Sequence, residues 1–309
     1  MIMPPCRLVL FDCTDNALLL VEITDGHVLS RHPLPCAYRP LALLTAEKEG
    51  AFLFANSPTD GALFLLGKGS ELLRIPIVLP TIAAACASPS GQSLYLASTR
   101  HTLYRIDLSS NKITSLGSAP HPCSALAANG DRLYSVWETD DGSICAIHDT
   151  NGSLLAEHRL CGTIPSAKLD KETLYLPFVG DEKCGEGLHL LSAENPSSSA
   201  ATIPLRPPSM RGLSAYPYSV LVQDDVIHLV SEASGTITKI DRQTNDILGS
   251  YALGRSISHL YLLPDSRFAI ATSNMFADLT LLDLVNEKLL SISICPHELF
   301  HQLAIFPPA

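Results

Sequence analysis

The string His297-Glu298-Leu299-Phe300-His301 is the segment whose residue types and spacing most directly suggest chemistry. Two histidines four positions apart on a helix project from one face, where they can share a divalent metal such as zinc. The intervening glutamate would then serve as general base toward a metal-bound water. Chance supplies about 0.02 such strings in a chain of this composition. A third ligand must come from elsewhere, because the residues after His301 (QLAIFPPA) include no His, Asp, Glu or Cys. His121 and Cys123 are the candidates for it. Because the repeat makes His301 the start of a strand, which breaks the helical spacing, the expectation is a capped turn at the closing loop and no cofactor, with a divalent metal on His297 and His301 as the alternative.

A second group is Arg39, His121 and Arg255, each in a short segment rich in Pro, Gly, Cys or Ser. Together they could hold a small anion. Alternatively, the arginines bond loop carbonyls or pair with Asp140 and Asp181. Trp137, the only tryptophan, precedes the acidic loop Glu138-Thr139-Asp140-Asp141. It could stack on a sugar or hold a cation, or it could fill a gap in the core. The acidic pairs Asp140-Asp141 and Asp181-Glu182 suit Ca²⁺ or a basic partner segment, or are solvated loops, and neither has the carboxylate spacing of an EF-hand. The candidate ligand-binding set is thus Arg39, His121, Trp137, Asp140 and Arg255. No G-x-S-x-G, Walker-type or G-x-G-x-x-G string occurs, so nucleophile-elbow and nucleotide-binding architectures gain no support.

The elements that must position these residues repeat. Apolar runs begin at Leu18, Leu63, Leu103, Ile144, Leu188, Ile237 and Leu279, each ending in a turn rich in Asp, Asn, Gly or Ser. A second β-rich run precedes each of them, as in LVLFDCT from Leu8, SLYLAST from Ser93 and TLYLPFV from Thr173. Innermost strands with much Ala and Ser are expected from Pro40, Ile82, Cys123 and Leu260. Seven units of about 44 residues, several strands each and no sustained helical periodicity, predict a seven-bladed β-propeller in one domain, residues 1–309. The first unit lacks its innermost strand, and HQLAIFP from His301 is left over at the other end. That leftover strand is expected to complete the first blade and remove its open edge. The loops between outer and next inner strands, with those between second and third strands, would then carry the candidate residues to one mouth of a central channel.

Composition narrows the classes. The chain of 309 residues is 46% hydrophobic and 17% charged, with a formal net charge of −10. That balance suits a folded chain and opposes nucleic-acid binding, which needs clustered Lys and Arg. No apolar run approaches the roughly 18 residues of a spanning helix. The nine cysteines mostly sit within apolar runs and form no CxxC, which favours reduced thiols over a disulfide framework. With no leader pattern at Met1–Arg7, a cytoplasmic location is expected.

The units also resemble a known family. ASPSGQSLYLAST (Ala87–Thr99) with LYRIDLSSNKI (Leu103–Ile113) is similar to the YVTN-type β-propeller repeat. In that repeat a Ser-Pro-Asp-Gly turn leads into a Tyr-Val-Thr-Asn-like strand, then a Val-Ile-Asp strand and a Lys-Val hairpin. LPDSRFAIATSN with LTLLDLVNEKLL, and ITKIDRQTNDIL, resemble it nearly as well. The resemblance implies the propeller fold, and it connects the chain to lactonase-like hydrolases, amine-dehydrogenase subunits and surface-layer proteins. The expected function is a non-catalytic binding or scaffold propeller for a protein partner or small ligand. The alternative is a hydrolase or metal-dependent lyase at the channel mouth.

Overall fold

The computed structural model describes residues 6–23, 27–46, 50–67, 71–180, 183–195, 197–206, 214–264, 267–274, 279–292, 300 and 302–306. Among them there is no helix, and hence none long and apolar enough to cross a membrane. The first three strands are β1 (Arg7–Asp12), β2 (Ala17–Glu22) and β3 (Val28–Pro33). A second set is β4 (Arg39–Ala46), β5 (Gly50–Asn56), β6 (Gly61–Gly67) and β7 (Leu72–Arg74). The third is β8 (Ile82–Ala87), β9 (Ser93–Ser98), β10 (Thr102–Asp107) and β11 (Lys112–Ser118). The fourth is β12 (Cys123–Ala128), β13 (Arg132–Thr139), β14 (Gly142–Asp149) and β15 (Leu154–Leu160). Next come β16 (Lys168–Asp170), β17 (Thr173–Val179), β18 (Glu186–Ser192) and β19 (Ala201–Arg206). The sixth set is β20 (Pro217–Gln223), β21 (Val226–Ser231), β22 (Thr236–Asp241) and β23 (Ile247–Ala252). Last are β24 (His259–Leu262), β25 (Phe268–Thr272), β26 (Leu279–Asp283) and β27 (Lys288–Ile292), then β28 (Ala304–Phe306).

Each set of four forms one sheet, and β28 joins β1–β3 in the order β28-β1-β2-β3. Seven four-stranded blades make the fold a seven-bladed β-propeller, as the repeat spacing predicted. The first blade is completed by the C-terminal strand, with Leu8 opposite Ile305 and Val9 opposite Ala304. Two further bonds fix that segment: Phe300 N–H donates to the Phe11 carbonyl at 2.8 Å, and Leu43 N–H to Gln302 Oε1 at 3.0 Å.

A recurrent aspartate ends the third strand of several blades for a local reason. Asp149 Oδ1 accepts from the backbone N–H groups of Asn151 and Ser153, both at 2.8 Å. Asp241 Oδ1 accepts from those of Gln243 and Thr244 at the same distance. The side chain imitates a backbone turn and starts the hairpin to the outer strand. These backbone donors hold both carboxyls below the usual aspartate range.

The contacts group the chain into two compact units. The first comprises Met1–Ile82, Ser109–Lys112 and Ser258–Ala309. In one of its cores Val9, Phe11, Leu53 and Phe64 pack with Ala304 and Phe306; in another Leu8, Leu10, Ile270 and Leu281 pack with Leu303. The C-terminal segment thus buries side chains in two cores, at about 1.5–3 kcal/mol for each large apolar residue.

The second unit comprises Ala83–Leu108 and Ile113–Ile257. Its cores follow the two-residue period of the strands. From β13 and β14, Tyr134, Val136, Cys145 and Ile147 pack with Leu174, Leu176 and Phe178. The alternate residues Leu133, Trp137 and Ala146 pack with Tyr95 and Leu103 instead.

Candidate functional site

On this second face of the β12–β15 sheet, Trp137, Ile144, Ala146 and His148 line a cavity of about 470 Å³ with Leu116 of β11. The register sets their order. Trp137 stands opposite Ile144, Ile144 opposite Arg159, and Ala146 opposite Glu157. Glu157 and Arg159 share the cavity side of β15, two residues apart, and His121 borders the cavity from the loop ahead of β12. At the far end the wall needs glycine: Gly152 has φ +93°, and a Cβ there would lie 2.8 Å from that of Leu116. The cavity volume is in the range of small-molecule sites.

A buried hydrogen-bond chain braces the wall. Trp137 Nε1–H donates to Ser135 Oγ at 2.8 Å, and that hydroxyl meets His148 Nε2 at 3.2 Å. His148 Nδ1 lies 3.4 Å from the Gly152 carbonyl. A carbonyl only accepts, so Nδ1 carries the proton and Nε2 accepts from Ser135. Burial favours the neutral imidazole and lowers the His148 pKa, against smaller upward effects from the Gly152 carbonyl and Asp149. Ser135 is fully buried and its oxygen already accepts from the indole, so the pair is structural and not a nucleophile–base pair.

His121 is half-buried, and Glu157 and Arg159 are exposed at the open side of the cavity. Among the described residues their side chains make no hydrogen bond and no ion pair. Arg159 also borders a smaller recess of about 260 Å³ with Asp141.

A separate cleft of about 670 Å³ brings Asp140 and Asp141 together with Lys183, Cys161 and Cys184. Cys161 Sγ lies 3.8 Å from His189 Nε2, the spacing of a thiol and its base. The ring, however, is committed otherwise. Its Nε2 is 3.1 Å from the Cys161 carbonyl and its Nδ1 2.9 Å from Thr202 Oγ1. Nε2 therefore carries the proton and cannot take one from the thiol. His189 is stacked on Phe178 with ring centroids 4.0 Å apart, and burial lowers its pKa.

His121 and Trp137 meet at the 470 Å³ cavity, whereas Asp140 is exposed beside the neighbouring cleft. Trp137 is only 3% exposed, so its ring forms cavity wall and core at once. Arg255 is half-buried in the turn after β23. Arg39, in the first unit, reaches Asn16 Oδ1 and the Cys36 carbonyl at 3.4 Å each, and the Tyr38 carbonyl at 3.5 Å. His297 and His301, with Asp181 and Glu182, lie outside the described residues. Sequence reasoning missed Ser135, His148, Glu157 and Arg159. Ser135 stands on β13 with Trp137, His148 on β14, and Glu157 and Arg159 on β15, away from the loops that hold His121, Asp140 and Arg255. The available signal was the alternation in AEHRL, which puts Glu157 and Arg159 on one side of β15.

No family model matches the sequence, and no curated protein matches it. Solved structures are similar in fold. A functionally unknown protein from Desulfotomaculum acetoxidans DSM 771 has a TM-score of 0.75 at 11% identity, over 98% of this chain and 99% of that one. Apo AztD from Citrobacter koseri has a TM-score of 0.58 at 14% identity, over 98% of both chains. The WD40 β-propeller domain of Doa1 has 0.60 at 15% identity, over 85% of this chain and 88% of that one. At such identities the likeness carries the seven-bladed propeller class and no activity.

Proposed function

We propose that this chain is a non-catalytic binding propeller that holds a small ligand on its second unit. The observation that carries the reading is the cavity where His121 and Trp137 meet beside Arg159 and Glu157, whose charged groups engage no described residue. A largely apolar pocket with a few unengaged polar groups is the usual form of a ligand site. The exposed pair Asp140 and Asp141 at the β13–β14 turn supports a basic partner segment docking alongside. The blades are YVTN-type repeats in this reading, supported by the Ile-Asp strand ends at Asp107 and Asp241. A reducing, cytoplasmic setting fits thiols such as Cys6, Cys86, Cys123 and Cys145 kept in the core.

Thermal-shift screening of a metabolite library tests the proposal. A ligand present at 100 times its Kd stabilises by about 2.7 kcal/mol. The expected result is at least one ligand that raises the melting temperature of the wild type and not of His121→Ala. Turnover of a lactone or ester panel, lost in the same variant, would replace binding with the hydrolase reading.

A further inference from the structure

Resting on that binding reading, we propose that the cavity between β11 and the β13–β15 face takes an apolar monocarboxylate, with its carboxylate on Arg159 and its hydrocarbon body along Trp137, Ile144 and Ala146. The geometry orders the site along the strands. Arg159, Ile144 and Trp137 share one level of the β-register, and Ala146 and Glu157 share the next. The cation therefore stands at the exposed end of an apolar wall, and it has no ion-pair partner among the described residues. A guanidinium matches a carboxylate through two parallel N–H donors.

Glu157 decides against other anions. It lies two residues along the same side of β15, so a second carboxylate on the ligand body would face a like charge. A phosphate dianion would need more positive charge than one arginine beside one glutamate supplies. The neutral His148 and the bonded Ser135 leave the deeper wall without charge, which suits a hydrocarbon chain. Asp141 lines the smaller recess with Arg159 but forms no ion pair with it, so the guanidinium needs no partner displaced.

Trp137 is the only tryptophan in the chain and lines this cavity, so its emission reports occupancy directly. Octanoate, octanamide and octylamine, below their micelle concentrations, offer one chain with three heads. The expected result is a saturable emission change with octanoate, about tenfold tighter than with octanamide. Arg159→Gln should reduce octanoate to the affinity of octanamide, and Glu157→Gln should admit the dicarboxylate suberate. Ala146→Leu, which fills the cavity, should abolish all three signals while the protein still melts cooperatively. Equal affinities, or a preference for octylamine, would overturn the carboxylate assignment and leave a binding pocket standing. Silence from all three in the folded wild type would overturn both this assignment and the pocket on which the binding reading rests.

Discussion

The Trp137 indole N–H donates to the Ser135 hydroxyl at 2.8 Å, so one buried serine links the cavity wall to the imidazole of His148. Trp137→Phe keeps most of the ring and removes the donor. The expected loss is about 1–2 kcal/mol in urea unfolding, combining one hydrogen bond with lost ring area. An unchanged midpoint and slope would show that the bond contributes nothing.

Burial of two imidazoles makes stability depend on pH. The folded His148 pKa lies below the unfolded value of 6.5, and that of His189 does too. Between the folded and unfolded values the unfolded chain binds more protons, so stability is full above pH 6.5 and falls as pH drops through it. Melting temperatures should therefore decline from pH 7.5 to 5.5, above the range in which carboxylates titrate. His148→Gln and His189→Gln should each flatten that decline, and a parallel profile in both variants would refute the assignment.

Gly152→Ala tests the turn at the cavity end. The new Cβ would strike the Leu116 carbonyl, and φ of +93° is strained for alanine. A loss of about 1–3 kcal/mol is expected, together with altered emission from Trp137.

Ala304 is fully buried in the core that includes Val9 and Phe11. Ala304→Asp would bury an unpaired carboxylate and disrupt the strand that completes the first blade. The expected cost is about 3 kcal/mol or more, read as a fall in melting temperature. A variant as stable as the wild type would mean that β28 is dispensable to the first blade.

Thiol reactivity should follow burial. Cys36 and Cys161 are exposed, while burial pushes the Cys123 and Cys145 thiols up to about 12 and that of Cys86 higher still. Mass-spectrometric mapping after a short iodoacetamide pulse should find Cys36 and Cys161 modified and Cys86, Cys123 and Cys145 intact. Rapid modification of Cys145 would contradict the packing around it.

The propeller was legible in the sequence because its signal is local and repeated. Strand pairs recur every 40 to 49 residues from Leu18 to Leu279, and aspartates such as Asp149 and Asp241 mark hairpins through bonds to their own backbone neighbours. Even the joining of the termini followed from counting strands, since Leu8–Asp12 lacks an inner neighbour until residues 304–306 supply it. The site was legible only in part. His121 and Trp137 could be singled out by type, but their shared cavity depends on β11 standing off the β14–β15 face, which no local pattern encodes. Whether a polar group is engaged is likewise settled by neighbours distant in sequence. Arg39 finds Asn16 and loop carbonyls, His189 finds Cys161 and Thr202, and Arg159 finds no side chain among those described. Periodicity and turn chemistry, which act between residues close along the chain, were thus set by sequence alone. Cavity shape, tautomer and unengaged charge arise from contacts between strands, and only the tertiary structure decided them.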